Sequence, residues 1–253
     1  MLFYGKTDVG RRRAVNQDNF VIRKYAGDVL FAVVCDGMGG ANGGDTASAV
    51  AVEAFREQMD RSESAHPSFF GLSGEDIVDA LSVGVTEANR EVYQMAVSNP
   101  ELEGMGTTLV GCVVEGDRVY AVNVGDSRLY AVRGGAIEQI SHDHSLVQYL
   151  VDCGRMTPEE AKVSTMKNRI TRAVGTEKTV GADFFELTVG FGDRLILCSD
   201  GLTNHVEPEE IRDMTADVTP HDPDTIQRAA EALVALANER GGTDNITAVI
   251  LAV

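Results

Sequence analysis

Three aspartates stand where a strand-like run ends and the chain turns, and such a trio offers hard oxygen ligands to a divalent cation. Asp36 closes the apolar run VLFAVVCD (29–36) and opens onto Gly37, Met38, Gly39 and Gly40. Asp200 repeats the arrangement at the end of LILCSD (195–200), with Gly201 behind it. Asp244 lies directly before a last apolar run, in GGTDNITAVILAV. A lone Asp-Gly pair after a strand is ordinarily a turn. Three acids at strand ends, spread over about two hundred residues, describe instead a site that exists only once the chain has folded. Gly37, Gly39 and Gly40 let the backbone approach closely whatever Asp36 holds. A fourth acid, Asp126 in VGDSRLY, sits at a strand junction where a plain turn explains it equally well.

The same glycines imitate a dinucleotide-binding loop, since a strand, Gly37-Met38-Gly39, Gly43 and a helix follow in order. Two features oppose that reading. Asp36 would face a pyrophosphate, and residues 60–75, where a second strand and a ribose-binding acid belong, are polar and rich in Ser and Gly.

The elements must bring these acids together within 253 residues, 43% of them hydrophobic, with no linker-like or low-complexity run between them. One domain over 1–253 is the expectation. Lys and Arg number 22 against 39 Asp and Glu, a net charge of −17, which argues against nucleic acid or an anionic membrane as the main partner and leaves room for bound cations. No apolar run is long enough to span a bilayer and the N-terminus lacks the order of a signal peptide, so a cytoplasmic location is expected. Cys35, Cys112, Cys153 and Cys198 show no C-x-x-C spacing, and three of them lie in apolar strand-like runs, which reads as buried, reduced thiols.

Residues 2–9 and 19–34 read as strands flanking GRRRAVNQDNF, a polar turn that gathers Arg11, Arg12, Arg13, Gln17 and Asp18. One arginine there has a use beside a metal-bound phosphate, whereas Arg11 and Arg12 read as solvated. Asp45 is expected to cap a helix to about residue 59, and Ser73 with Asp76 to open a second through a capping box. Residues 105–140 carry four short strands separated by tight turns, an antiparallel meander. Thr157-Pro158-Glu159-Glu160 starts a helix inside 141–180, a segment with Lys162, Lys167, Arg169, Arg172 and Lys178 against Glu177 alone in its second half. That basic run would either help hold an anionic substrate or be a solvated loop. Strands at 183–189, 193–199 and 246–252, a short helix near 206–214 and a long one over 222–240, ending at Gly241-Gly242, complete the pattern. Mostly consecutive strands with grouped helices imply an α+β fold of antiparallel sheets covered by helices.

RAVNQDNF, CDGMGG, GTTLVGC, GDSRLY, DHSLV, ITRAVG, CSDGL and TDNIT occur in this order. The chain thereby resembles the metal-dependent protein serine/threonine phosphatases of the PPM, or type 2C, family, in their compact bacterial form, from about Thr7 to its end. The resemblance implies a four-layer αββα sandwich of two antiparallel sheets flanked by helix pairs. It implies two Mn²⁺ or Mg²⁺ ions, bridged by Asp36, with the Gly37 carbonyl on one, Asp200 and Asp244 on the other, and Asp18 near them through water. Asp126 matches the acid that holds a third metal with Asp200, Arg13 the phosphate-binding position, and residues 145–180 a flap. The implied reaction is hydrolysis of phosphoserine and phosphothreonine in proteins by a water shared between cations ~4 Å apart and attacking phosphorus in line. The expected partners are phosphoproteins and an opposing kinase, and the expected state is a monomer. Met38 and Ala41 stand where some relatives carry a histidine that can serve as general acid; His66, His142, His144, His205 and His221 all read more readily as exposed or structural. Two other functions remain open from sequence, a metal-poor homologue that binds phosphoproteins without turnover and a phosphohydrolase of small molecules.

Overall fold

The long apolar runs become strands buried on both faces, and these divide into two sheets. In the computed structural model, which describes residues 1–39, 43–65 and 73–253, every strand pairing is antiparallel. The first sheet runs in the order β1 (Leu2–Asp8), β11 (Ile246–Ala252), β10 (Arg194–Cys198), β7 (Arg128–Arg133), β8 (Ala136–Gln139). The second runs β2 (Asp18–Lys24), β3 (Leu30–Met38), β5 (Leu109–Glu115), β6 (Arg118–Val124), β9 (Asp183–Thr188), with β4 (Gly106–Thr107) beside the end of β3. Helices α1 (Gly44–Ala65) and α2 (Gly74–Ser98) cover the second sheet. On the far face of the first lie α7 (Pro223–Glu239) and the short α5 (Asp200–Thr203) and α6 (Pro208–Met214). Helices α3 (Leu146–Asp152) and α4 (Pro158–Val163) belong to the connection between β8 and β9.

Strand β3 shows why the expected four-layer αββα arrangement forms. Leu30, Ala32 and Val34 enter the core between the sheets with Leu195, Leu197, Val249 and Leu251. Phe31, Val33 and Cys35 point the other way, into the core shared with Ala51, Phe55 and Ile77 of the helix pair. Each fully buried Val, Leu, Ile or Phe among these contributes about 1.5–3 kcal/mol relative to exposure. A slip of one residue would exchange these two sets, so the register that leaves Asp36 at the end of β3 is strongly specified.

Three expectations need correction. Residues 19–34 are two strands, because Tyr25–Val29 turns the chain and Gly27 (φ 73°) and Asp28 (φ 64°) take left-handed backbone there. Asp45 lies inside the first turn of α1, which starts at Gly44 and runs to Ala65, well past residue 59. The meander is split between sheets: β5 and β6 form one hairpin, β7 and β8 another on the opposite sheet. The chain crosses at Gly125-Asp126-Ser127, with Gly125 at φ +109°. The caps at Ser73 and Thr157 form as full capping boxes, and the last strand occupies 246–252 as read.

Candidate active site

The turns that leave β3, β6 and β10 and the one that enters β11 open at the same end of the sandwich. They place Asp36, Asp126, Asp200 and Asp244 around one cleft of about 490 Å³, with Arg13, Gly37, Met38 and Thr108 also in its wall.

Asp36 is fixed through its main chain. Its N–H donates to Thr108 Oγ1 (2.9 Å), and its carbonyl accepts from Thr108 N (2.9 Å) and Thr107 Oγ1 (2.9 Å). Thr108 Oγ1 also pairs with Ser127 Oγ at 2.7 Å, so the Gly-Thr-Thr and Gly-Asp-Ser stretches hold Asp36 and Asp126 in one frame. Gly37 is required by space: a Cβ there would stand 1.9 Å from the Gly44 carbonyl oxygen, where α1 begins.

Asp200 opens α5 and accepts from Asn204 Nδ2 on Oδ2 (3.0 Å), while its Oδ1 is buried without a partner. Asp244 accepts from Arg13 Nη2 (2.7 Å) on Oδ2 and from Asn245 N (2.9 Å) on Oδ1. Asp18 stands behind the cleft, opposite Asp36 in the β2–β3 register. Ser199 Oγ and Thr247 Oγ1 each reach its Oδ2 at 2.7 Å, and its Oδ1 is buried and unpartnered.

Burial above all, then mutual repulsion, makes Asp18, Asp36, Asp126 and Asp200 reluctant to ionise without a compensating charge. Asp36 is pushed well above the usual carboxylate range by burial and by Asp18, Asp200, Asp126 and Asp244. Burial raises Asp18 to about 7 against the pull of its two hydroxyl donors, and burial with Asp200 and Asp143 raises Asp126 to about 8. Asp200 is raised by burial and by Asp244. Arg13 reaches the cluster from one side with a guanidinium that is 51% exposed. The bare oxygens of Asp200 and Asp18 are what a second source of positive charge would meet.

Met38 occupies the wall, while Ala41 and His66 lie outside the described residues. No histidine lines the cleft among the described residues. His142 is half exposed and bound to Asp152 (2.8 Å), whereas His144 is buried, with Nδ1 accepting from Gly125 N (3.0 Å) and Nε2 against Asp183 (3.1 Å). His205 pairs with Thr243, and His221 lies against the Phe191 ring.

Much of the basic run is spent on holding its own segment. Lys162 pairs with Glu207 (2.7 Å), Arg172 with Asp183 (2.8 Å), and Lys167 donates to Asn204 (2.8 Å), the residue that holds Asp200. Arg169 and Lys178 are exposed, while the neighbouring Asn168 and Ile170 reach the cleft wall. The sequence motifs single out all of the acids but not Asn204; Thr108, Ser127 and Ser199 lie within those motifs with no role evident from sequence. All four cysteines are free, with Cys35, Cys112 and Cys198 buried and Cys153 exposed. Among the described residues no helix is long and apolar enough to cross a membrane.

The sequence pattern of the protein phosphatase 2C family matches residues 8–236. The chain is 35% identical over 246 residues to the serine/threonine phosphatase stp of Listeria monocytogenes, covering 97% of this chain and 93% of that protein. The crystal structure of the serine/threonine phosphatase Stp1 from Staphylococcus aureus superposes with a TM-score of 0.87 at 33% identity, covering 99% of this chain and 94% of that one. The catalytic domain of the serine/threonine protein phosphatase PstP, solved in complex with two manganese ions, superposes with a TM-score of 0.81 at 33% identity, covering 98% and 96%.

Proposed function

Since the chain belongs to the protein phosphatase 2C family and is a serine/threonine protein phosphatase, we propose that its cleft hydrolyses phosphoserine and phosphothreonine with Mn²⁺ or Mg²⁺ held by its aspartates. The observation that carries this reading is the convergence of Asp36, Asp126, Asp200 and Asp244 on one cleft beside a single arginine. With Asp36, Asp126 and Asp200 raised in proton affinity by burial, such a gathering of acids is costly unless cations complete it.

The donor set suits these metals. Among the described residues no three Cys, His, Asp or Glu side chains enclose an ion unaided. Each ion would therefore draw on a few carboxylates, the Gly37 carbonyl, water and substrate oxygen, which is the habit of hard cations and not of structural zinc. Asp36 would be shared between two ions, Asp200 and Asp244 would serve one of them, Asp126 with Asp200 would serve a third, and Asp18 would act through water. Bound there, the ions supply Lewis acidity to water and neutralise phosphoryl oxygens.

The chain's own groups do the rest. Arg13 offers a planar fork to two phosphoryl oxygens and orients the phosphate for in-line attack by water. The P–O ester bond breaks as the water oxygen bonds to phosphorus, giving phosphate and a side-chain hydroxyl. No histidine stands in the described wall, so water protonates the departing seryl or threonyl oxygen. We read residues 1–253 as one monomeric catalytic unit, with 145–180 as its flap, acting in the cytoplasm against a protein kinase.

The test is phosphate release from a phosphothreonine peptide with Mn²⁺, Mg²⁺ or EDTA. Turnover with either metal and none in EDTA is expected. Full turnover in EDTA, or none with either metal, would overturn the proposal.

A further inference from the structure

We infer that Asn245 is the positioning residue that sets Arg13 against the acid cluster; the inference rests on the reading of Arg13 as the phosphate-binding group. Asn245 is 3% exposed, and its side chain meets the backbone of the Arg13 loop at three points. Its main-chain N–H donates to Asp244 Oδ1 (2.9 Å), which fixes that carboxylate's rotation. Its carboxamide turns the other way. Oδ1 accepts from Gln17 N (2.8 Å), and Nδ2 donates to the carbonyls of Val9 (2.9 Å) and Val15 (3.0 Å). These three groups bracket the loop that carries Arg13, so one rigid amide defines where both ends of the loop sit.

The connections continue from there. The Gln17 carbonyl accepts from Gly37 N (3.1 Å), the residue after Asp36. Gly201, the residue after Asp200, packs so tightly that a Cβ on it would stand 1.9 Å from the Asn245 carbonyl oxygen. The loop is pressed onto the same turn at Gly10, where φ is +79° and a Cβ would lie 2.1 Å from the Asp244 carbonyl oxygen. Asn245 is thus the point at which Asp36, Asp200, Asp244 and the Arg13 loop share a frame.

The residue type follows from the geometry. Two carbonyls need two donors from one planar group, and Gln17 N needs an acceptor on the same group, which a carboxamide supplies. Aspartate has the same shape but would set an acceptor against both carbonyls. Serine has a single donor and cannot span the loop. The arrangement leaves Arg13 half exposed yet defined in position, as a phosphate ligand must be.

A double-mutant cycle tests this. Asn245→Asp is made alone and in an Arg13→Ala background, and kcat/KM on a phosphothreonine peptide, inhibition by inorganic phosphate and Mn²⁺ binding by calorimetry are measured. In the native background Asn245→Asp should lower kcat/KM and weaken phosphate inhibition by about tenfold or more, since misplacement of a binding group is costly. In the Arg13→Ala background the same substitution should cost less than about twofold, because the group it positions is gone. Equal losses in both backgrounds would make Asn245 a general structural residue and overturn the inference. Unchanged phosphate inhibition in Arg13→Ala alone would instead remove the phosphate-binding reading. Should Asn245→Asp not fold, Asn245→Ser provides the same cycle without the added charge.

Discussion

Arg13 Nη2 lies 2.7 Å from Asp244 Oδ2, an ion pair that joins the first loop of the chain to its last turn across 231 residues. With the guanidinium half exposed, the pair adds at most about 1 kcal/mol to stability. Its value is in placing a fork of donors beside the acids. Arg13→Ala is therefore expected to lower kcat/KM on a phosphothreonine peptide by about 10²-fold, in the range for losing one charged contact to a transition state. Mn²⁺ affinity, read by calorimetry, should hold or rise, because Asp244 loses a competitor for its oxygen. Loss of Mn²⁺ binding would show that Arg13 maintains the fold of the site.

The acid cluster has a signature in the metal-free protein. Asp18 at about 7 and Asp126 at about 8 bind protons more tightly folded than unfolded, where carboxylates titrate near 3.8. The sign follows from linkage: their contribution is fully present below about pH 4 and is lost as pH rises through 7 to 8. Asp36 adds to the same trend. In EDTA, the melting temperature should fall between about pH 5 and 8, and Asp36→Asn should flatten that fall. Added Mn²⁺ should raise it more at pH 8 than at pH 5.5, since metal and protons compete for the same oxygens. A melting temperature in EDTA that is flat or rises over this window in the wild type, with no change in slope in Asp36→Asn, would exclude the repulsion.

Most of this site was readable before folding was considered, because each acid lies within two residues of one end of an apolar strand and strand ends leave a local pattern. Asp36, Asp200 and Asp244 fall in that class. What holds them does not: Ser199 meets Asp18 across 181 residues and Thr108 meets Ser127 at the sheet crossing, and neither contact leaves a period in the sequence. The sheet crossing at Gly125-Asp126 was hidden for a related reason. Two hairpins joined by a tight turn show the same alternation whether or not they share a sheet, and only the cores they enter distinguish them. By composition the charges at 162–178 form one group, either a patch for an anionic substrate or a solvated loop, but their partners divide them.

That division can be measured. Lys167 donates to Asn204, and Asn204 donates to Asp200, so Lys167→Met should slow hydrolysis of a phosphopeptide and of a small aryl phosphate by similar factors. Arg169 is exposed beside the cleft-lining Asn168 and Ile170, so Arg169→Glu should raise KM for phosphopeptides, most for acidic ones, and leave the aryl phosphate within about twofold. The opposite pattern of losses would reverse the two assignments.

Asp126 shares the cleft with Asp200 but enters it from the sheet crossing, where Ser127 ties the turn to Thr108 and Gly125 N donates to His144, and in the proposed ligand set it serves only the third ion. Asp126→Ala should therefore leave tight metal binding intact and raise the Mn²⁺ concentration needed for half-maximal turnover, with a larger effect on phosphopeptide than on aryl phosphate. A Mn²⁺ titration of activity that overlays the wild type would assign Gly125-Asp126 to turning the chain alone.

The two histidines that follow β8 are expected to differ, and for structural reasons. His142 is half exposed and held by Asp152, so His142→Gln should change kcat by less than about tenfold on phosphoserine peptide, below the 10²–10⁴ span of general-acid help. His144 is buried, and its ring Nδ1 accepts from Gly125 N while its main-chain N–H donates to the Gly125 carbonyl, gripping the residue before Asp126 on both sides. His144→Gln should lower kcat by a larger factor, but equally on phosphoserine peptide and aryl phosphate, because a displaced Asp126 affects every substrate. General acids behave otherwise: they matter for a seryl oxygen and hardly for an aryl oxygen, which leaves without a proton. A loss above about a hundredfold on phosphoserine with the aryl phosphate untouched, for either variant, would identify that histidine as the acid and remove water from the role.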